Sequence, residues 1–314
     1  MTSFAKTRPR QRLRMPAARF AGRRQSSGFT LIELLISMVL GMVIIGALVV
    51  MYLSGSTATR NAQAQGQMNE DAQMALGVFT QELRQAGYNP TRTGGVKNDL
   101  GQGGWNLYAC NTGFTDATVA NISALTCAGS GGFGLAVAYE GDLNTGKNTA
   151  GGLPMDCIGN GVAAAGAGGY YTMQSRISIT NNTLTCRGSG NLAQSQVLAE
   201  NIESATVNFA VAEPAVPNSQ NVRGYLSASG IINPTDAALT ALPMLDRWNK
   251  VVAAQVCVVV RSEDAVLRDL GTSAVKPSYQ NCAGADVDIT DGRMRRAYRT
   301  TVLLRNHGVG YVNP

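Results

Sequence analysis

The stretch that decides the fold begins with Gly28-Phe29-Thr30-Leu31-Ile32-Glu33 and continues in apolar residues as far as Leu53. Glu33 is the only charged side chain between Phe29 and Leu53. A helix of this length measures roughly 37 Å, which is enough to cross a hydrocarbon core of about 30 Å. Because a backbone in lipid must satisfy its own hydrogen bonds, residues 29–53 are predicted to form a transmembrane helix.

The segment before this helix, residues 1–28, is strongly basic. It contains eight lysines and arginines and no acidic residue. Positive charge beside an apolar helix holds that end in the cytoplasm, so the chain after Leu53 is predicted to lie in the periplasm. The rest of the chain has 18 basic and 20 acidic residues. The sequence pI of 9.1 therefore reflects the leader, and no nucleic-acid partner is expected.

Glu33 needs an explanation, because an acidic side chain at the centre of a membrane helix costs about 3 kcal/mol and less near its end. One explanation is that the carboxylate reaches the membrane surface. Another is that a cation at the same depth in the membrane pairs with the carboxylate. Cleavage between Gly28 and Phe29 would create an α-amino group four residues from Glu33, on this subunit or on a neighbour.

The six quoted residues, the basic leader and the long apolar helix together resemble the class III signal peptide of type IV pilins and pseudopilins. The resemblance implies that a prepilin peptidase cuts after Gly28 and methylates the amino group of Phe29. It also implies that Glu33 guides the docking of a new subunit onto the filament. A secretory signal ending near Ser56 would have a much shorter apolar region. An unprocessed anchor would explain the span but neither the Gly28-Phe29 junction nor Glu33.

The helix is predicted to continue beyond the membrane, to about residue 86. Residues 54–67 are small and polar and contain no helix breaker. Apolar side chains then recur at spacings of three and four, which marks one face of an amphipathic helix: Met68, Ala72, Ala75, Leu76, Phe79, Leu83 and Ala86. Gly87 suits the position just after a helix, and Pro90 prevents continuation. Residues 54–87 are therefore predicted to pack on a sheet.

Residues 88–195 are rich in glycine and are predicted to form scattered strands whose order comes from disulfides more than from a core. Residues 196–314 are predicted to form an antiparallel sheet. Alternating residues predict a strand over 205–211, and residues 248–261 predict a central strand that is covered on both faces. Asp291-Gly292 predicts a two-residue hairpin between residues 287–289 and 297–304. The expected fold class is α+β, a long helix on an antiparallel sheet, as in pilins.

Four later segments are similar to the PilW group of minor pilins: residues 84–88, 198–203, 248–261 and 302–306. The resemblance implies a minor type IV pilin, a structural subunit that primes assembly of the pilus or caps it by helix packing. Implied partners are the prepilin peptidase, other minor and major pilins, the assembly platform of the inner membrane and, before assembly, membrane lipids. The implied location is the inner membrane and then the extracellular pilus.

Two other functions stay open. Residues 84–88 are shared in part with J-type pseudopilins of type II secretion, which cap a secretion pseudopilus. The glycine-rich region could instead serve a pilus-tip adhesin or other binding subunit. The sequence leaves a role in adhesion, twitching motility or DNA uptake undecided.

Catalytic motifs are weak, so no enzyme, cofactor or metal is predicted. A G-x-G-x-x-G pattern at 129–134 follows no strand, and an S-x-x-K pattern at 273–276 lacks its partner motifs. His307, the only histidine, is predicted to lie at the surface or at a strand end. The spacing of Asp286, Asp288 and Asp291 is one residue away from that of a calcium loop, and no bidentate glutamate follows.

The six cysteines all follow the membrane segment, as expected for disulfides in an oxidising compartment. Fifteen pairings are possible for six cysteines. Sequence neighbourhood favours one of them, because Cys257 lies in the predicted central strand and Cys282 just before the predicted hairpin. The loops so closed would each contribute about 3 kcal/mol in the chain-entropy model. The predicted pairs are Cys110 with Cys127, Cys157 with Cys186, and Cys257 with Cys282.

Overall fold

The computed structural model describes residues 28–90, 100, 102–143, 148–164, 169–267 and 276–307. The leader up to residue 27, most of the S-x-x-K pattern and the last seven residues lie outside the described residues. The chain divides into two compact units, Met1–Gly55 and Ser56–Pro314.

The predicted long helix is confirmed as α1, Leu31–Gln85. Thr30 begins it, because its hydroxyl accepts a hydrogen bond from the backbone N–H of Glu33 at 3.3 Å. Gly87 ends it with a φ of +73°. A Cβ at Gly87 would lie 3.1 Å from Asn106 Nδ2 and from His307 Cδ2. Both the backbone conformation and the close packing therefore require glycine there.

The glycine-rich region contains a five-stranded antiparallel sheet whose strands are joined in chain order. Its strands are β1 Leu107–Cys110, β2 Gly134–Gly141, β3 Tyr171–Thr180, β4 Thr183–Gly188 and β5 Gln196–Ala199. Most residues of β1, β2 and β3 are buried. The expectation that disulfides replace a core here is thus wrong. The alternation of apolar residues that marks a strand is hidden here by glycines, which stand where two backbones pack closely. A Cβ on Gly132 would lie 1.7 Å from the carbonyl oxygen of Ile179.

The last third of the chain forms a four-stranded antiparallel sheet in the order β11-β8-β6-β7. Its strands are β6 Ile202–Ala212, β7 Val222–Ser227, β8 Val251–Ala265 and β11 Arg293–Leu303. The predicted central strand is confirmed as β8, but Trp248 precedes it in a short helix. Three short helices connect β7 to β8: α2 Ala228–Ile232, α3 Ala237–Thr240 and α4 Met244–Asn249. Trp248 leaves the strand because its ring fills the core, edge-on to Phe209 at 5.2 Å and to Tyr108 at 5.6 Å.

The predicted Asp291-Gly292 hairpin is wrong, although the chain bends there and Gly292 has a φ of +72°. The strand before it, β10 Asp286–Asp288, pairs with β9 Ser278–Gln280. The strand after it, β11, pairs along its length with β8. Pairing with β8 places Val302 against the core, where it is 1 % exposed. A local hairpin with β10, which has only three residues, would not bury Val302 in this way.

The second half of α1 packs on the sheets, which confirms the α+β class. Apart from Leu76, which is half-buried, the predicted apolar face is buried, and the ring of Phe79 meets that of Phe133 edge-on at 5.9 Å. Polar contacts also fix this second half of the helix. They are Gln67 Nε2 to Glu263 Oε2 at 3.0 Å, Tyr298 Oη to Asn69 Oδ1 at 2.6 Å, Asn201 Nδ2 to Asp71 Oδ2 at 3.0 Å, and Asn306 Nδ2 to the Arg84 carbonyl at 3.0 Å.

Candidate functional site: an uncovered apolar helix

Within its own unit, no described residue covers the first half of α1. Every large apolar side chain from Leu31 to Leu53 is at least 51 % exposed. The helix is long and apolar enough to cross a membrane, and its most apolar window has no buried residue. A continuous apolar surface of this size is not stable in water, so lipid or other helices must cover it.

The predicted processing and assembly residues lie together at the start of this helix. Gly28 and Phe29 precede its first turn, and Glu33 lies within that turn. Phe29 is 82 % exposed. Their roles in cleavage, methylation and docking stay predictions.

The structure adds a local explanation for Glu33. Thr30 caps the helix by accepting from the N–H of Glu33, and an acidic side chain in a first turn interacts favourably with the helix dipole. Thr30 and Glu33 match the S/T-x-x-E capping box, a signal that was readable in the sequence and was missed there. Glu33 therefore has two candidate roles, helix initiation and pairing with an amine.

Three disulfides join the pairs that sequence neighbourhood predicts: Cys110–Cys127, Cys157–Cys186 and Cys257–Cys282. Their Cα–Cα distances of 5.3, 6.4 and 5.8 Å are ordinary for disulfides. The third bond connects the β9–β10 hairpin to the central strand β8. The first closes the loop that follows β1.

We expect peptide mapping of the unreduced protein to recover these three linked pairs. Replacing Cys257 and Cys282 together by serine should lower the free energy of unfolding by about 3 kcal/mol, because the open chain gains conformational entropy. Urea unfolding followed by tryptophan fluorescence measures this loss. A linked peptide joining Cys257 or Cys282 to the glycine-rich region would contradict the pairing.

Sequence patterns did not identify Glu82, a carboxylate in the buried face of α1 that is only 5 % exposed. Burial raises its pKa to about 7, a hydrogen bond with Ser175 opposes the rise, and the charge of Asp156 adds to it. The Oε2 atom of Glu82 has no hydrogen-bond partner among the residues that the structure describes. Ionisation of Glu82 near neutral pH is therefore unfavourable at this contact between α1 and β3.

His307 lies four residues after the end of β11 and is 3 % exposed, so the prediction of a surface histidine is wrong. Its ring packs against Gly87 at the end of α1. Burial lowers its pKa to about 4, so the ring is neutral at physiological pH.

Of the aspartates considered for calcium, Asp286 and Asp288 lie in β10 and Asp291 is paired with an arginine. Arg295 donates to both carboxylate oxygens of Asp291 at 2.7 Å and to Glu203 Oε2 at 2.6 Å. The hydrogen bonds from Arg295 hold the pKa of Asp291 well below its ordinary value. Within the part of the chain that the structure describes, no three His, Cys, Asp or Glu side chains are grouped to hold a metal ion.

Two protein-family models match this chain, one near its N-terminus and one in its C-terminal half. Residues 23–49 match the prokaryotic N-terminal methylation motif, which includes Gly28, Phe29 and Glu33. Residues 166–306 match the family of type IV pilus-assembly protein W, PilW. The chain carries a PilW-type domain behind an N-terminal methylation motif. No curated protein matches the sequence.

Two solved structures are similar at low identity. The type IV-like pilin TTHA1219 from Thermus thermophilus is 11 % identical over 77 % of this chain and 98 % of its own, with a TM-score of 0.37. A chain of the GspK-GspI-GspJ complex from the enterotoxigenic Escherichia coli type 2 secretion system is 13 % identical over 76 % and 98 %, with a TM-score of 0.29.

The family matches favour one of the functions left open by the sequence. A PilW domain together with a methylation motif identifies a minor type IV pilin and favours it over a J-type pseudopilin. Pilins of this family are structural subunits.

Proposed function

We propose that this PilW-type minor pilin primes assembly of the type IV pilus or caps it through residues 29–53. The observation that supports the proposal is the uncovered apolar surface from Leu31 to Leu53. While the subunit is in the inner membrane, lipid covers this surface. In the filament, the same segments of neighbouring subunits cover it, so helix contacts replace lipid contacts.

Processing prepares the helix for this exchange. The proposed segments are a leader, 1–28, a membrane helix, 29–53, its amphipathic continuation, 54–87, a glycine-rich region, 88–195, and a sheet region, 196–314. A prepilin peptidase removes the leader on the cytoplasmic side and methylates Phe29. The remaining chain then stays anchored with its C-terminal regions in the periplasm, where disulfides form.

Glu33 sets the axial register in this mechanism. A carboxylate in the first turn of α1 is costly in lipid and is compensated when an N-terminal amine of a neighbour lies in the same layer. The partners are then other minor and major pilins and the assembly platform.

Processing at the proposed junction has a direct test. Gly28→Val should abolish cleavage, because a branched side chain crowds the backbone at the scissile bond, and the uncleaved chain should stay in the membrane. Intact-mass and N-terminal peptide spectrometry of membranes and sheared pili measures the outcome, and the wild-type chain should begin with N-methyl-Phe29.

A matched control for this variant is Gly41→Val, also in the apolar segment and with open space around its Cα. Its leader should be removed as in the wild type. A wild-type chain that begins near Thr59, or that retains its leader in pili, would refute the processing proposal.

A further inference from the structure

A groove lies on the unit formed by Ser56–Pro314, between the exposed flank of α1 and strand β11. It has a volume of about 620 Å³. Among the described lining residues, Leu76 is the one large apolar side chain. The others are glycine, amides, hydroxyls and two arginines, and include Gln73, Gly77, Gln81, Arg84, Gln85 and Arg299. Most of the surface that faces the groove is carbon, from Leu76 and the stems of the polar side chains, with polar groups between.

The sheet side of the groove is an open strand edge. β11 is the outermost strand of its sheet and pairs only with β8 among the described residues. Between Ala297 and Leu303, no backbone hydrogen bond joins its outer edge to another described segment. An edge of this length offers a row of donors and acceptors to an added strand.

The groove has the dimensions of such a strand. α1 and β11 run in the same direction, since Tyr298 contacts Asn69 and Asn306 contacts the Arg84 carbonyl. From Gln73 to Gln85 the helix rises about 18 Å, the length of roughly five extended residues. A strand added to β11 would lie about 4.8 Å from it, with alternate side chains facing α1.

Gly77 leaves space for those side chains. A glycine inside a helix costs about 1 kcal/mol relative to alanine. Apart from the adjoining helix backbone, no atom of the described residues lies within 4 Å of the position that a Cβ on Gly77 would occupy, so the packing of these residues does not require glycine. Close approach of another chain would account for it.

The charge of the groove specifies the occupant further. Arg84 is exposed, and the Arg299 guanidinium donates to the carbonyl of Asn281 at 3.0 Å. Neither arginine forms an ion pair with a residue that the structure describes. Two guanidinium groups that line one groove and have no carboxylate partner among the described residues complement carboxylates.

We propose that this groove binds an extended acidic segment of another protein, which adds a strand to the free edge of β11. The edge of β11 binds the backbone of the segment, and Arg84 and Arg299 bind its carboxylates. Gly77 admits the side chains that face α1. This inference does not depend on the assembly role proposed for residues 29–53.

Site-specific photo-cross-linking in cells that make the protein tests the proposal. The photoreactive residue p-benzoylphenylalanine replaces Gln81, inside the groove, in the full chain. The matched control carries it at Met74, which is exposed on the same helix but lies outside the groove lining. We expect Gln81 and not Met74 to form a cross-link, and peptide spectrometry to place it in an acidic, strand-like segment of a different protein.

Charge reversal supplies the second measurement. Arg84→Glu combined with Arg299→Glu should reduce the Gln81 cross-link at least ten-fold, and replacing the acidic residues of the captured segment by lysine should restore it. The free thiol content of the variant should stay at zero, which shows that the domain still forms its disulfides. A cross-link to a second copy of this chain or to an apolar helix, a cross-link that survives charge reversal, or no Gln81 cross-link above the Met74 control would overturn the proposal.

Discussion

Glu82→Gln should stabilise the protein by about 3 kcal/mol at pH 8. Glu82 is 5 % exposed, and burial raises its pKa from 4.5 to about 7. Each pKa unit corresponds to about 1.4 kcal/mol between the two protonation states. Because the charged form is disfavoured between α1 and β3, a neutral amide of the same shape removes this penalty while it keeps a hydrogen-bonding partner for Ser175.

The effect should depend on pH in a defined direction. The folded state binds the Glu82 proton more tightly than the unfolded state, so the stabilising contribution of the protonated group is fully present below pH 4.5. It falls as the pH rises and is lost above pH 7. Wild-type stability should therefore decrease across this interval, and the Glu82→Gln variant should lack this part of the decrease.

Urea unfolding of the mature chain in detergent at pH 5 and pH 8 measures both effects, with the buried Trp248 as the fluorescent reporter. Glu70→Gln is the control, since Glu70 is exposed on the same helix and its replacement should change stability by no more than about 0.5 kcal/mol. Equal stability of wild type and Glu82→Gln at pH 8 would contradict the account of this contact.

Glu33→Ala should leave membrane insertion intact and reduce incorporation into pili by about ten-fold or more. The carboxylate is a cost in lipid, so its loss does not impair insertion. A ten-fold loss corresponds to about 1.4 kcal/mol of pairing free energy, which is modest for a charge pair removed from water. Quantitative immunoblots of membranes and sheared pili measure the two steps separately.

Glu33→Gln separates the two roles that the structure gives this residue. Glutamine retains the capping-box chemistry with Thr30 but carries no charge. If Glu33 pairs with an amine, Glu33→Gln should fail in assembly as Glu33→Ala does. Wild-type incorporation of the glutamine variant would instead assign Glu33 to helix initiation, and wild-type incorporation of both variants would refute an assembly role.

Features that depend on nearby residues were predictable from the sequence. The period of the stripe from Met68 to Ala86 is a property of one helix, and Gly87 ends that helix through its own backbone conformation. The apolar run of β8 likewise indicates a central strand without knowledge of its neighbours. The membrane segment and its Gly28-Phe29 junction are also local.

Features that depend on distant partners were not predictable. The Asp291-Gly292 turn permits a hairpin, but the choice between β10 and β8 as the partner of β11 is decided by burial across the sheet. The core of the glycine-rich region depends on contacts between strands that are far apart in sequence, such as Gly134 and Ser178. Glu82 and His307 become buried only when α1 and the end of β11 come together with the sheets.

The central claim is that the uncovered segment from Leu31 to Leu53 is covered by helices of other pilins in the assembled pilus. Photo-cross-linking from p-benzoylphenylalanine at Ile44, in the middle of this segment, tests it directly. In sheared pili we expect cross-links to the apolar N-terminal helix of another pilin, while in membranes of cells that cannot assemble pili the same residue should label lipid. Absence of the protein from sheared pili, or its presence there without any helix cross-link from Ile44, would contradict the claim.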